Sequence, residues 1–278
     1  MKKICISGTK LETSRLGFGT ASLHHAYRTS DRQSILSAAL DAGYTHFDTA
    51  RMYGEGMAEK SLGKFLSGGL RQQVTLGTKF GFPAIPLQEC LPSIMYGQRI
   101  ISGLARRLRM LKESERKRVI SLVAAESSLT MSMKALQTDW LDILLVHEPQ
   151  ISDIENLHGL AEWLIKQKSR GRVRYLGLAG SAKNCLEVKQ QVEGVFDILQ
   201  VEDSLAGCEA DIIKAAGLPL QATYGYLRLA ISRCTGSNAQ AMDGLEVMKS
   251  ALARNPNGMV LLSTRKIHRL RDFAKLVD

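Results

Sequence analysis

Long apolar runs are missing from this chain: no stretch approaches the ~18 uncharged apolar residues that a membrane-spanning helix needs. Lys2 and Lys3 open the sequence, but Ser7-Gly8-Thr9-Lys10 follow where a signal peptide would place its apolar core. Cysteine is sparse and unpaired. Cys5, Cys90, Cys185, Cys208 and Cys234 are scattered, odd in number and free of any CxxC spacing. That pattern excludes a disulfide framework and zinc-ligand spacing, and it leads us to expect a reduced, cytoplasmic protein with no membrane partner. Aromatic residues make up only 6% of the sequence. Acidic residues are also in deficit, so the formal net charge is +10, which favours anionic ligands. Much of the excess lies in Arg106 to Arg118 and Arg265 to Lys275. Neither run interleaves aromatics with its basic residues, which argues against a nucleic-acid partner and for a solvated helical face in the first run.

What remains is an ordinary globular composition in 278 residues, with 45% hydrophobic and 23% charged side chains. Short apolar runs alternate with amphipathic stretches along the chain. Strand patterns occur at 16–21, 46–50, 74–80, 142–147, 173–179, 198–202, 218–223 and 259–263. Runs such as ILLV and MVLL have the continuous hydrophobicity of parallel strands covered on both faces. Helical patterns fall at 32–42, with Ser30-Asp31 as its cap, and at 57–66, 127–136, 154–168, 182–192, 209–216, 242–253 and 266–277. Eight strand–helix pairs predict an α/β fold, a (β/α)8 TIM barrel, as one domain over residues 1–278. Residues 3–15 are expected to form a hairpin across the barrel bottom. Residues 83–117 are a long insertion after the third strand, with a predicted helix near 100–111, and residues 226–241 form a second long connection. Connections of this length often serve as lids or binding loops.

Three consecutive strands end in ionisable residues: His46-Phe47-Asp48, Gly77-Thr78-Lys79 and Val146-His147. Barrel strands share one C-terminal face, where active sites of this architecture gather. A buried charge needs a partner, and Asp48 and Lys79 on neighbouring strands can pair. Tyr53 leaves the second strand five residues later, within reach of the same spot. Together these residues suit carbonyl reduction. A hydride attacking a carbonyl carbon leaves an oxygen that must be protonated, and a tyrosine hydroxyl can supply that proton. The lysine ammonium would lower the phenol pKa, the carboxylate would place the lysine, and histidine would polarise the substrate oxygen.

The segment Asp48-Thr49-Ala50-Arg51-Met52-Tyr53-Gly54 resembles the aldo-keto reductase signature D-[ST]-A-x-x-Y-G. Gly77-Thr78-Lys79 and Leu144-Leu145-Val146-His147 resemble that family's lysine and histidine strands. The resemblance runs from about Leu16 to the C-terminus and assigns the family's catalytic tetrad to Asp48, Tyr53, Lys79 and His147. It implies an NAD(P)H-dependent oxidoreductase acting on a small-molecule carbonyl or, in reverse, an alcohol or sugar.

No Rossmann fingerprint accompanies it, since Gly17-Phe18-Gly19 lacks the third glycine and the βαβ context. The resemblance instead places the dinucleotide on the barrel mouth. Gly19 and Thr20 would line its ribose or pyrophosphate, and Gln200 would meet the carboxamide. Ser263, Thr264, Arg265 and Arg269 look like the family's 2'-phosphate site, which implies NADP(H) in preference to NAD(H).

Three departures stand out. Ala179-Gly180-Ser181 replaces the Ser-Asn that family members often use for the carboxamide. Thr223 falls where a tyrosine usually stacks on the nicotinamide, with Tyr224 and Tyr226 beside it. The chain ends soon after its last helix, so the expected pocket is shaped without a long C-terminal loop. Two other readings stay open: a nucleotide-binding regulatory subunit with little turnover, and a lyase using Lys79 as a Schiff-base nucleophile. The family also leaves open a monomer or a small homo-oligomer.

Overall fold

The computed structural model describes residues 1–85, 117–233 and 243–277. Eight parallel strands close a barrel in chain order: β3 (Leu16–Gly19), β4 (His46–Asp48), β5 (Thr75–Phe80), β6 (Leu141–His147), β7 (Val173–Gly180), β8 (Ile198–Glu202), β9 (Ala222–Tyr224) and β10 (Met259–Leu262). The last strand pairs back onto the first through Val260–Leu16, Leu261–Gly17 and Leu262–Phe18. Around them lie α1 (Thr29–Asp41), α2 (Met57–Leu66), α3 (Leu122–Leu136), α4 (Ile154–Ser169), α5 (Ala182–Gln191), α6 (Asp211–Ala215), α7 (Tyr226–Arg233), α8 (Gly244–Arg254) and α9 (Ile267–Ala274). This is the (β/α)8 arrangement expected from the alternating pattern. Every residue of β6 is buried, which is what its unbroken apolar run requires of a strand covered on both faces.

The expected hairpin is present. β1 (Lys3–Cys5) and β2 (Glu12–Ser14) pair antiparallel just before β3 and close the N-terminal end of the barrel. Ile6 and Leu11 from its turn are buried with the inward side chains Ile143, Leu145, Ile198, Met259 and Leu261. A larger apolar shell fills the space between the strands and the helices. Helices α2 and α3 approach so closely that a β-carbon on Gly63 would lie 2.2 Å from the Ala135 carbonyl oxygen.

Two boundaries differ from the sequence expectation for identifiable reasons. Helix α1 starts at Thr29, with Arg28 as its cap, so Ser30 and Asp31 lie in the first turn. Arg32 fixes this earlier entry by donating to the carbonyls of Ala26 and Tyr27 at 2.7 and 2.8 Å and to the Thr29 hydroxyl at 2.9 Å. The seventh barrel strand begins at Ala222 rather than Leu218. Just before it, the Gln221 side chain takes over backbone pairing. It accepts from Leu199 N at 2.7 Å and donates to Ser7 O at 2.7 Å and Asp197 O at 2.9 Å. The connection after β9 carries α7, which sequence reading left without a helix. The helix predicted near 100–111 and nearly all of the 83–117 insertion lie outside the described residues. Among the described residues, no helix is long and apolar enough to cross a membrane, and no group of three or more His, Cys, Asp or Glu side chains could hold a metal ion.

Candidate active site

Strand alternation decides which side chains face the barrel axis, because successive residues point to opposite faces. Ladder neighbours Gly19–Asp48, Asp48–Gly77, Lys79–Leu145, His147–Ala179, Ala179–Gln200 and Glu202–Tyr224 therefore belong to one inward set around the mouth. Asp48, Lys79, His147, Gln200 and Tyr224 line one cleft there with Gly19, Tyr53, Glu148 and Ser263.

The Lys79 ammonium donates to both Asp48 carboxylate oxygens, at 2.7 and 2.6 Å, and to the Thr49 carbonyl at 2.9 Å. Burial alone would depress the Lys79 pKa, but Asp48 and the Tyr53 phenol outweigh it and leave the amine above its ordinary value. Gln200 Nε2 donates to Asp48 Oδ1 at 3.2 Å and steadies the carboxylate from the opposite side of the barrel. The Tyr53 ring stands over Lys79, with the ammonium nitrogen 5.1 Å from the ring centre. Lys79 lowers the phenol pKa as expected, but other effects are larger. The Tyr53 phenol is held above its ordinary pKa, because desolvation outweighs the lowering by Lys79, and Asp48 already neutralises that ammonium.

His147 completes the group, with its ring centre 5.8 Å from that of Tyr53 and edge-on to it. Phe82 packs edge-on against the imidazole at 5.4 Å. Burial, reinforced by Lys79, lowers the His147 pKa well below its ordinary value, so the ring is neutral near pH 7.

The loop carrying Tyr53 is tied to the barrel wall by a buried network. Arg51 Nη1 donates to Glu59 Oε2 at 2.8 Å, and the Thr78 hydroxyl donates to Glu59 Oε1 at 2.7 Å. Thr78 precedes Lys79, so one carboxylate on α2 joins the tyrosine loop to the lysine strand. Sequence reading passed over Arg51 and Glu59.

The residues expected at a nucleotide separate into two groups. Gly19, Gln200 and Ser263 line the cleft, and Ser263 Oγ lies 2.8 Å from Ser22 Oγ across its rim. Thr20 does not face it: the side chain is fully buried, and its hydroxyl donates to the Asp48 carbonyl at 3.1 Å. Thr264 is also buried, and its hydroxyl accepts from Lys266 N at 3.2 Å. Arg265 is exposed, with one guanidinium nitrogen 3.4 Å from the His25 carbonyl. Arg269 sits in the first turn of α9, partly exposed.

Thr223 was the residue placed by resemblance at the stacking position, and the structure turns it away from the cleft. Thr223 faces outward, fully buried, and its hydroxyl accepts from Asn255 Nδ2 at 3.0 Å. Tyr224 points inward, and its hydroxyl donates to Glu148 Oε1 at 3.3 Å. Tyr226 donates to Asp203 Oδ2 at 2.6 Å and anchors the start of α7. Inward alternation along β9 was the signal that would have chosen Tyr224.

Glu148 was also missed. It follows His147 with a left-handed backbone, φ 51°. That conformation is uncommon for a side chain with a β-carbon and often accompanies functional strain. Gly180 makes room for it: a β-carbon there would lie 3.0 Å from Glu148 Oε2 and 3.1 Å from Glu148 Cα. Ser181 next to it caps α5, accepting from Asn184 N at 3.3 Å. The departure at 179–181 thus has a steric partner on the adjacent strand.

The aldo/keto reductase family model matches residues 15–211. A D-threo-aldose 1-dehydrogenase from a Pseudomonas species is 29% identical over 193 residues, covering 67% of this chain and 55% of that protein. Aldo-keto reductase yakc (NADP(+)) from Schizosaccharomyces pombe is 29% identical over 194 residues, covering 68% of this chain and 48% of that protein. The chain thus spans about half the length of these curated relatives. Among solved structures, an aldo-keto reductase from Klebsiella pneumoniae in complex with NADPH superposes with a TM-score of 0.67 at 19% identity, covering 100% of this chain and 90% of that one. At that identity the likeness speaks for the fold alone. The family match takes in the strands that carry Asp48, Lys79, His147 and Gln200 and well over half of the 278 residues, and the chain belongs to the aldo/keto reductase family.

Proposed function

We propose that the chain is an NADPH-dependent oxidoreductase that reduces an aldehyde or ketone on a small molecule, or oxidises the corresponding alcohol. The observation that carries this reading is the buried Asp48–Lys79 pair, 2.6 Å apart, with the Tyr53 ring centre 5.1 Å from the ammonium and His147 edge-on to that ring. Its chemistry is that of proton delivery to an oxygen gaining negative charge.

The cleft chemistry suits a nicotinamide dinucleotide. It offers an aromatic face at Tyr224, a buried amide at Gln200, the open backbone of Gly19 and the hydroxyl of Ser263. Arg265 and Arg269 flank the entry to α9, where helix amides and guanidinium groups suit a 2'-phosphate. The relative from Schizosaccharomyces pombe, whose name includes NADP(+), supports the same preference. When bound, the reduced dinucleotide supplies a hydride.

The chain's own residues do the rest. The neutral His147 imidazole donates a hydrogen bond to the substrate carbonyl oxygen and orients it. Tyr53 transfers its hydroxyl proton to that oxygen as negative charge builds. Lys79 then stabilises the phenolate, and Asp48 holds the ammonium in place. The raised phenol pKa of the free protein makes Tyr53 a weak acid at rest, so its proton stays until an alkoxide-like oxygen develops beside it.

The Schiff-base alternative needs a neutral lysine amine, whereas three oxygens within 2.9 Å and a raised pKa keep Lys79 charged. A fluorescence titration with NADPH and, in parallel, NADH tests the proposal. Tighter NADPH binding followed by turnover of aldehydes is the expected result. Binding without turnover would indicate a regulatory subunit, and no binding of either would remove the reading.

A further inference from the structure

Glu148 contributes a carboxylate to the cleft that none of the proton-delivery steps uses. It follows His147 directly and lines the same cleft as Tyr53, Lys79 and Tyr224. The left-handed backbone at φ 51° turns its side chain across β7, where the glycine at position 180 leaves room that a β-carbon would crowd, at 3.0 Å from Glu148 Oε2. The Tyr224 hydroxyl, reaching over from β9, donates to Glu148 Oε1 at 3.3 Å and fixes the carboxylate on the cleft side. Its backbone is pinned as well, by Glu148 N donating to Ala179 O at 2.6 Å. Three independent features, a strained backbone, a glycine vacated for it and a tyrosine reaching across the mouth, thus hold one acid beside the candidate proton donor. No salt bridge neutralises it among the described residues.

Resting on the oxidoreductase reading, we propose that Glu148 sets substrate class: the cleft takes neutral, hydroxyl-bearing carbonyl compounds and rejects those that carry a carboxylate. A fixed carboxylate offers acceptor lone pairs to substrate hydroxyls. It also repels a second carboxylate brought into the same partly desolvated space, and such like-charge juxtaposition is how a site discriminates against a wrong ligand. The cations lining the cleft are already engaged: Asp48 occupies the Lys79 ammonium through both carboxylate oxygens, and Glu202 pairs with the Arg228 guanidinium. Burial raises the Glu148 carboxyl above its ordinary pKa, with Tyr224, Lys79, Arg228 and Arg118 drawing it part of the way back. The test is therefore made at pH 8, well above the ordinary carboxyl range, to favour the ionised form.

The full chain is assayed with NADPH and NADH on two matched pairs, glycolaldehyde against glyoxylate and 4-nitrobenzaldehyde against 4-carboxybenzaldehyde. In each pair the neutral compound is expected to exceed the acid in kcat/KM by a factor of about 10 or more. Glu148→Gln keeps the side-chain shape and an acceptor for Tyr224 while removing the charge, and it should shrink that ratio at least about tenfold. Glu148→Asn, which tolerates the left-handed backbone, should do the same if the glutamine variant fails to fold. A purely structural role would lower both members of a pair together. Turnover with an unchanged ratio in the variants overturns the proposal and leaves the reductase reading standing. No turnover of any of the four compounds by the wild type overturns both.

Discussion

Asp48 and Lys79 form a closed buried pair, with the ammonium 2.7 and 2.6 Å from the two carboxylate oxygens and both side chains almost entirely removed from water. Losing one partner strands the other charge. Lys79→Met is expected to cost about 3–5 kcal/mol of unfolding free energy by urea titration, and Asp48→Asn/Lys79→Met together much less. Equal losses in the single and double variants would show that the pair is not coupled.

Tyr53→Phe removes the proposed proton donor and leaves the ring. Turnover should fall by a factor on the order of 100 or more while NADPH affinity changes little. Stopped-flow hydride transfer with the best neutral aldehyde is the measurement, and near-full activity would take Tyr53 out of the mechanism.

His46 sits two residues before Asp48, fully buried, with Nδ1 2.8 Å from the Thr75 hydroxyl. Burial depresses its pKa from 6.5 to about 4, against a smaller opposing effect of Asp48. The unfolded chain therefore binds the extra proton more readily. The stability contributed by a neutral His46 is fully present above pH 6.5 and is lost as pH falls toward 4. The penalty at pH 5 is about 2 kcal/mol. His147, depressed in the same direction, adds to the wild-type slope. His46→Gln should reduce the loss of unfolding free energy between pH 7 and pH 5 by about 2 kcal/mol, whatever its effect at pH 7.

Gly63 touches the backbone of α3, with its hypothetical β-carbon 2.2 Å from Ala135 O. Backbone cannot swing aside as a side-chain tip can. Gly63→Ala is expected to cost about 3 kcal/mol despite its better helix propensity. Thermal unfolding at fixed pH measures it, and a gain in stability would mean that α2 and α3 separate at little cost.

Replacing Arg265 and Arg269 together by alanine should weaken NADPH binding by a factor of about 10 or more, from loss of charge-assisted hydrogen bonds. NADH, which lacks the 2'-phosphate, should bind about as before. Equal weakening of both would place these arginines away from that phosphate.

The barrel and the Asp48, Tyr53, Lys79 and His147 cluster were legible in the sequence because each rests on a local pattern: apolar runs of strand length, or ionisable residues at their ends. What stayed hidden depended on phase or on partners far along the chain. Tyr224 and Thr223 are adjacent, and only the barrel register settles that Tyr224 looks inward. Glu148 reads as an ordinary residue before a proline until Gly180 is seen against it. Glu59 becomes part of the site only because Arg51 and Thr78 converge on it from two other elements. The start of β9 was set too early because Gln221 satisfies backbone groups with its side chain, which no periodicity reveals.

The hairpin that seats Ile6 and Leu11 in the lower barrel gives the fold a floor at the end opposite the cleft. The cleft is the threshold of the candidate site, and Ile6, Leu11, Ile143 and Met259 do not line it. The floor supplies ballast. Substitutions among Ile6, Leu11, Ile143 and Met259 can therefore adjust how firmly the chain stays folded with little effect on what crosses that threshold.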